Sequence, residues 1–175
     1  MDNNILKSLN EILQNSDLTD VSSESSGRSL EDGYYLCEVQ KGEIKETSQT
    51  HQPMVSLTMK VVEDGYKVEI GENDVALNPI KNTKNSLIWI NYVIKDEISL
   101  KRFASDMLKF EAEEGKPLLE KEAFMEASIM EDAISLLEGN RIYVQVSTTQ
   151  SKDGQNRTWN NLISWKRADK LNLPM

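Results

Sequence analysis

Residues 54–62 read Met54-Val55-Ser56-Leu57-Thr58-Met59-Lys60-Val61-Val62, and their pattern decides the fold class. Val55, Leu57, Met59 and Val61 alternate with Ser56, Thr58 and Lys60, the period of a strand with one buried face. Because successive strand side chains point to opposite faces, Lys60 lies opposite the apolar set. Upstream, Tyr34 to Glu46 reads as a first strand with Tyr35, Cys37 and Val39 on one side, separated from the second by a polar loop, Thr47 to Pro53. Glu63-Asp64-Gly65 marks a turn, and residues 66–85, with Pro79, Lys81 and Lys84, are too irregular to assign. Ser86 to Ile94 is a third strand, and Arg141 to Thr149 and Thr158 to Lys166 are two more, joined by a polar loop, Gln150 to Arg157, with Asp153-Gly154 at its turn.

Two helical stretches separate the third and fourth strands. Leu100, Phe103, Met107, Leu108 and Phe110 stripe Asp96 to Phe110, and Phe124, Ile129, Ala133, Leu136 and Leu137 stripe Lys121 to Leu137 less regularly. Gly115-Lys116-Pro117 breaks them apart, and Gly139 is a C-terminal stop. Ahead of the first strand, Ile5, Leu6, Leu9, Ile12 and Leu13 have helical spacing, and Asp17 to Ser29 has no apolar pattern. The division expected is an amphipathic helix and flexible linker over 1–29, a domain over 30–168 with a helical insertion over 96–139, and a tail over 169–175. The fold expected is mainly β with that insertion, a five-stranded OB-fold-like barrel with its helix between strands three and four. An α+β sheet with helices on one face gives the same linear order.

The 175 residues suffice for one domain with a core of its own. A formal net charge of −9 argues against a protein that coats nucleic acid through uniform positive charge. Resolved along the chain, the net charge is −5 over 1–33, −1 over 34–95, −7 over 96–139 and +4 over 140–175. An anionic ligand therefore has one basic segment to use. The lone Cys37 has no partner for an internal disulfide or a zinc site, which fits a reducing cytoplasm. With no apolar run near the roughly 20 residues of a span, and no basic start before an apolar stretch, neither membrane anchor nor signal peptide is expected.

Signatures of catalysis are absent from the sequence. Gly115-Lys116 is followed by Pro117, which withdraws a backbone donor that a phosphate loop requires. No serine sits in a nucleophile elbow, His51 stands in a polar loop, and Cys37 lies in a strand pattern where a buried thiol is the common case. Glu111, Glu113, Glu114, Glu120 and Glu122 read as a solvated helical face rather than cation ligands. The expectation is a protein that is not an enzyme and carries no cofactor or metal.

A binding pattern is present in the final segment, where aromatic and basic residues interleave. Bases stack on aromatic faces while cations follow the phosphates. If Ile142, Val144 and Val146 face the core, Arg141 and Tyr143 face out. By the same alternation Ile88, Ile90, Tyr92 and Ile94 face in, and Trp89 and Asn91 face out. Trp159, Ile163 and Trp165 share one face of the last strand opposite Asn160, Leu162 and Lys166, a pattern that fits core packing as well as a ligand platform. The candidate nucleic-acid-binding residues are Lys60, Trp89, Arg141, Tyr143, Lys152, Arg157, Trp159 and Lys166, with Trp89 and Tyr143 as the stacking surfaces.

Asp32-Gly33-Tyr34-Tyr35 with its strand, Pro53 to Val62, Ile90-Asn91-Tyr92-Val93, Ser99 to Phe110 and Tyr143 to Trp165 together resemble the small single-stranded-DNA-binding proteins of bacteriophages. The resemblance spans about residues 30–168. It implies an OB-fold-like core that binds single-stranded DNA with little sequence preference in the host cytoplasm, beside phage replication or recombination proteins, and it is compatible with a homo-oligomer. Many such binders end in an acidic tail that recruits partners, whereas residues 168–175 are nearly neutral, so the acidic leading segment is the alternative recruiting element. A rival expectation is a phage protein that inhibits a host nucleic-acid enzyme, its acidic 96–139 helices imitating a phosphate backbone. A carbohydrate-binding β domain would also expose tryptophans but has no use for the basic final segment.

Overall fold

A computed structural model of the chain describes residues 3–15, 30–113 and 115–175. The linker expected over 17–29 lies outside the described residues. In chain order the elements are helix α1 (Asn3–Asn15), strands β1 (Gly33–Glu46), β2 (Pro53–Val61), β3 (Gly65–Ile70), β4 (Val75–Ile80) and β5 (Leu87–Val93), then helix α2 (Glu97–Met107). A small hairpin, β6 (Glu111–Glu113) and β7 (Lys116–Pro117), leads through a 3-10 turn (Lys121–Phe124) to α3 (Ala127–Ser135), β8 (Arg141–Gln150), β9 (Asn156–Ile163) and α4 (Trp165–Lys170).

The main sheet runs β4-β3-β1-β2-β5, with β8 on the other edge of β1 and β9 beyond β8. Its ladders are antiparallel. The molecule is thus mixed α/β, with a mostly antiparallel sheet and helices at the ends. The alternation read from the sequence places the faces correctly: Tyr35, Cys37, Val39, Val55, Leu57, Met59, Ile88, Ile90, Ile142, Val144 and Val146 are all buried in one cluster. A bulge between Val39 and Lys41 shifts the register of β1 against β2, so an extra residue, Gln40, is accommodated while Ile44 still packs on the core. At Gly42 the α3 residue Ile134 comes so close that a Cβ would stand 2.6 Å from its side chain. The helix can therefore lie flat on β1.

Two expectations are corrected. The unassigned 66–85 region is a hairpin, so seven strands share the sheet rather than five. Its tip closes through Gly71 N to Asp74 O at 2.8 Å, and at its base Asp64 Oδ1 accepts from Thr83 N at 3.0 Å and Lys84 N at 2.9 Å. Those backbone donors hold the Asp64 carboxyl below its usual range. Nor is the barrel closed by a ladder. β5 and β9 lie side by side without a ladder, and among the described residues the hydrogen bond that joins them runs from Asn160 Nδ2 to Trp89 O at 3.2 Å. Toward the other end α2 bridges them, with Tyr92 donating to Asp106 Oδ2 at 2.8 Å while Lys109 Nζ reaches Asp106 Oδ1 at 2.7 Å and Leu162 O at 2.9 Å. Burial first, and then the Asp106 carboxylate, push the Tyr92 phenol well above its ordinary pKa.

The helical stretches follow their capping chemistry. Asp96 caps α2 by accepting from Ser99 N at 2.8 Å, and Ser99 Oγ accepts in return from Asp96 N at 3.0 Å. The second stretch is divided into the 3-10 turn and α3, and Gly139 leaves it with φ 85° as a helix stop requires. The first helix is present as α1, with every residue exposed. The last strand ends at Ile163, short of the expected Lys166, because Ser164 caps α4 through Arg167 N at 3.3 Å.

Residues 169–175, expected as a tail, are folded. Leu171 and Leu173 join Ala168, Ile163 and Tyr143 in a second buried cluster on the outer side of β1, β8 and β9. Tyr143 therefore points away from the main core, as alternation requires, yet is only 1% exposed. Its hydroxyl donates to Pro174 O and its ring meets Trp165 edge-on at 5.9 Å. Truncating it removes a buried aromatic, so Tyr143→Ala is expected to cost about 3 kcal/mol or more in urea unfolding. Tyr143→Phe, which loses only the hydroxyl bond, should cost about 1 kcal/mol. An unchanged midpoint for the alanine variant would contradict this packing.

Candidate nucleic-acid interface

With Tyr143 covered, the exposed aromatic surface belongs to Trp89 and Trp159. Ile88 and Ile90 anchor β5 in the core, which leaves Trp89 between them turned outward and 55% exposed. On β9, Leu162 takes the core position, so Trp159 shares the outer face with Ile163 and is 51% exposed. Its indole Nε1 donates to Thr149 Oγ1 at 2.9 Å, which ties the ring to β8. Antiparallel pairing runs β5 and β9 in the same direction as β1, and Asn160 bonds the Trp89 carbonyl. The two tryptophans thus stand on the outer faces of neighbouring strands.

Cations are arranged around them. A cross-strand row runs Arg141, Glu38, Lys60 and Leu87 over β8, β1, β2 and β5. Trp89 pairs with Thr58, two residues from Lys60, so the ammonium can reach the flank of the indole. In the β8–β9 hairpin Lys152 and Arg157 are exposed, and Arg157 lies on the same strand face as Trp159. Among the described residues, Lys60, Lys152 and Arg157 make no ion pair, whereas Arg141 Nε lies 3.3 Å from Glu38 Oε2. Asp153 sits in the same hairpin, and the Ser151 hydroxyl and then Gln155 N hold its carboxyl below the usual range. Residues 150–157 are therefore positive by one charge.

Of the eight residues expected from the sequence, Lys60, Trp89, Arg157 and Trp159 lie on the outer faces of β2, β5 and β9, and Lys152 is exposed in the loop that joins β8 to β9. Arg141 lies at the margin of these faces, neutralised by Glu38. Lys166 is elsewhere, on α4 beside Trp165, Glu111 and Asp169. Leu87, Thr149 and Asn160 lie beside the two tryptophans and are not among the residues expected from the sequence. Leu87 was legible from the alternation that exposed Trp89, while Asn160 depends on which strand β9 meets, which local pattern does not reveal.

Cys37 is buried in the core, and burial pushes its thiol up to about 12. His51 is exposed in its loop, 3.2 Å from Glu46. Among the described residues no group of three or more His, Cys, Asp and Glu could hold a metal ion, and no helix is long and apolar enough to cross a membrane. In comparison with known proteins, the chain matches no family model and no curated protein.

This geometry predicts a split in the tryptophan emission. Acrylamide should quench most of the fluorescence of Trp89 and Trp159 and little of Trp165, so Trp89→Phe and Trp159→Phe should each remove an accessible component. Near pH 8 the Cys37 thiol should resist a thiol reagent in the folded protein and react once urea unfolds it, since burial favours the protonated form. Rapid labelling of the native protein would place the thiol at the surface.

Proposed function

We propose that the chain is a non-enzymatic single-stranded-DNA-binding protein with an OB-fold-like core made of β1, β2, β5, β8 and β9. The strand order supports the fold: β2 and then β5 follow β1 on one edge, and β8 and then β9 on the other. Helices α2 and α3, with the 3-10 turn between them, fall between the third and fourth of these strands. The β3–β4 hairpin is then an insertion between the second and third. The observation that carries the function is the pair of outward tryptophans on neighbouring strands, with Lys60, Lys152 and Arg157 making no ion pair among the described residues. Each indole face offers a platform for a base, and Lys60, Lys152 and Arg157 can follow the phosphates. Stacking tolerates any base, so the binding is broad. In line with the phage resemblance, the proposed activity serves replication or recombination in the host cytoplasm, with phage replication or recombination proteins as partners and a homo-oligomer compatible with it.

Titration of the protein with fluorescent oligonucleotides at several salt concentrations tests the reading. Affinity should fall as salt rises, and the log–log slope should flatten by about 0.7 for each phosphate contact removed by Lys60→Ala, Lys152→Ala or Arg157→Ala. Trp89→Ala and Trp159→Ala should each weaken binding by about 1–3 kcal/mol. Lys166→Ala should leave it unchanged. Absence of any anisotropy change with micromolar protein at low salt would overturn the assignment.

A further inference from the structure

The place where β5 and β9 fail to pair holds a groove of about 250 Å³. Leu30, Ile88 and Val146 form its apolar floor, and Leu87, Trp89, Thr158 and Asn160 form its rim. The groove is continuous with the tryptophan surface through Trp89, which belongs to both.

Backbone geometry makes the rim a hydrogen-bonding edge. Toward β2 the strand β5 uses its even-numbered residues: Ser86 O accepts from Val61 N at 2.8 Å and Ile94 N donates to Pro53 O at 2.9 Å. In an antiparallel ladder the intervening residues turn both main-chain groups the other way. Trp89 N–H therefore points toward β9, where its carbonyl meets Asn160 and no ladder exists. Because a carbonyl only accepts, the Asn160 amide must present Nδ2 to Trp89 O, which fixes Oδ1 as a free acceptor. Among the described residues neither that oxygen nor the Thr158 hydroxyl has a hydrogen-bond partner. The rim thus offers an acceptor at Asn160 Oδ1 beside a donor at Trp89 N–H, above a floor of methyl groups.

We propose that this groove is a base subsite selective for thymine; the inference rests on the single-stranded-DNA reading above. Thymine presents, in sequence around one edge, a 5-methyl group, the O4 acceptor and the N3–H donor. The methyl group goes to the Leu30, Ile88 and Val146 floor, O4 accepts from Trp89 N–H, and N3–H donates to Asn160 Oδ1. Cytosine reverses both polar groups at that edge, setting N3 against Oδ1 and the 4-amino group against N–H. Asn160 cannot rotate its amide to suit cytosine without breaking its bond to Trp89. The protein consequently binds all single strands through stacking and prefers those that place a thymine in the groove.

Competition anisotropy with oligonucleotides of equal length, all thymine, all cytosine or all deoxyuridine, tests the subsite on the unmodified protein. Thymine strands should bind about tenfold more tightly than cytosine strands, and removal of the methyl group in deoxyuridine should cost about fourfold. Asn160→Ala should bring the thymine-to-cytosine ratio close to one while binding to both persists, with circular dichroism confirming the fold. Equal affinity of the unmodified protein for thymine and cytosine strands overturns the subsite and leaves the stacking surface standing. A thymine preference that survives Asn160→Ala also overturns it, because the preference then arises from strand flexibility. Failure to bind any strand removes the underlying reading.

Discussion

Strand β1 has to satisfy neighbours along both edges, and the rest of the molecule is registered on it. Gly33 to Glu38 pair with β8 on one side, Cys37 to Glu46 pair with β2 on the other, and Tyr34 also pairs with Tyr66 of β3. A slip of one residue would exchange the two faces of the strand. The first half of β1 tolerates no such exchange, because both faces are buried against different partners: Tyr35 and Cys37 in the main core, Tyr34 and Leu36 against the C-terminal cluster. The bulge after Val39 ends this two-sided burial. Past it, Lys41, Glu43 and Lys45 form ion pairs on the outer face. The outer surface of the sheet is therefore divided into a covered part and an open part, and that division decides which aromatic side chains meet solvent.

Alternation along single strands was legible in the sequence because each strand buries one face in the same core. It identified β1, β2, β5 and β8 nearly to their ends and turned Trp89 outward correctly. The same logic turned Tyr143 outward as well, and there it stopped being sufficient. Locally Tyr143 and Trp89 look alike; what separates them is Leu171 and Leu173, which return from the far end of the chain to cover one and leave the other bare. Trp159 and Trp165 look alike for a similar reason, until Ser164 caps a helix between a strand residue and a helix residue. The β3–β4 hairpin is illegible in the sequence because β4 is an edge strand, where Pro79 is tolerated for want of an outer partner and polar residues interrupt the period.

The acidic total and the proposed ligand are reconciled by distance. Screening limits interactions between exposed charges to about 8 Å at physiological ionic strength, so carboxylates of the helical elements affect a strand lying across β2, β5 and β9 only where they come within that range. What matters locally is pairing. Glu43 has Lys41 and Lys45 beside it, and their hydrogen bonds and charges hold its carboxyl below the usual range. Glu38 is occupied by Arg141. These contacts occupy Glu43 and Glu38, and among the described residues Lys60 makes no ion pair.

The unpaired seam between β5 and β9 follows from how it is sealed. An exposed strand edge is a template for pairing with other chains, and a continuous ladder would remove that hazard by closing the barrel. Here side chains do the sealing instead: Asn160 at one point, and Asp106 with Lys109 and Tyr92 toward the other end. Side-chain seals hold two strands together at intervals and leave main-chain groups between them unspent. A ladder would have consumed Trp89 N–H and drawn β9 against Leu87, filling the groove. The same arrangement that keeps the sheet from closing thus supplies the polar edge and the apolar floor of the proposed base subsite.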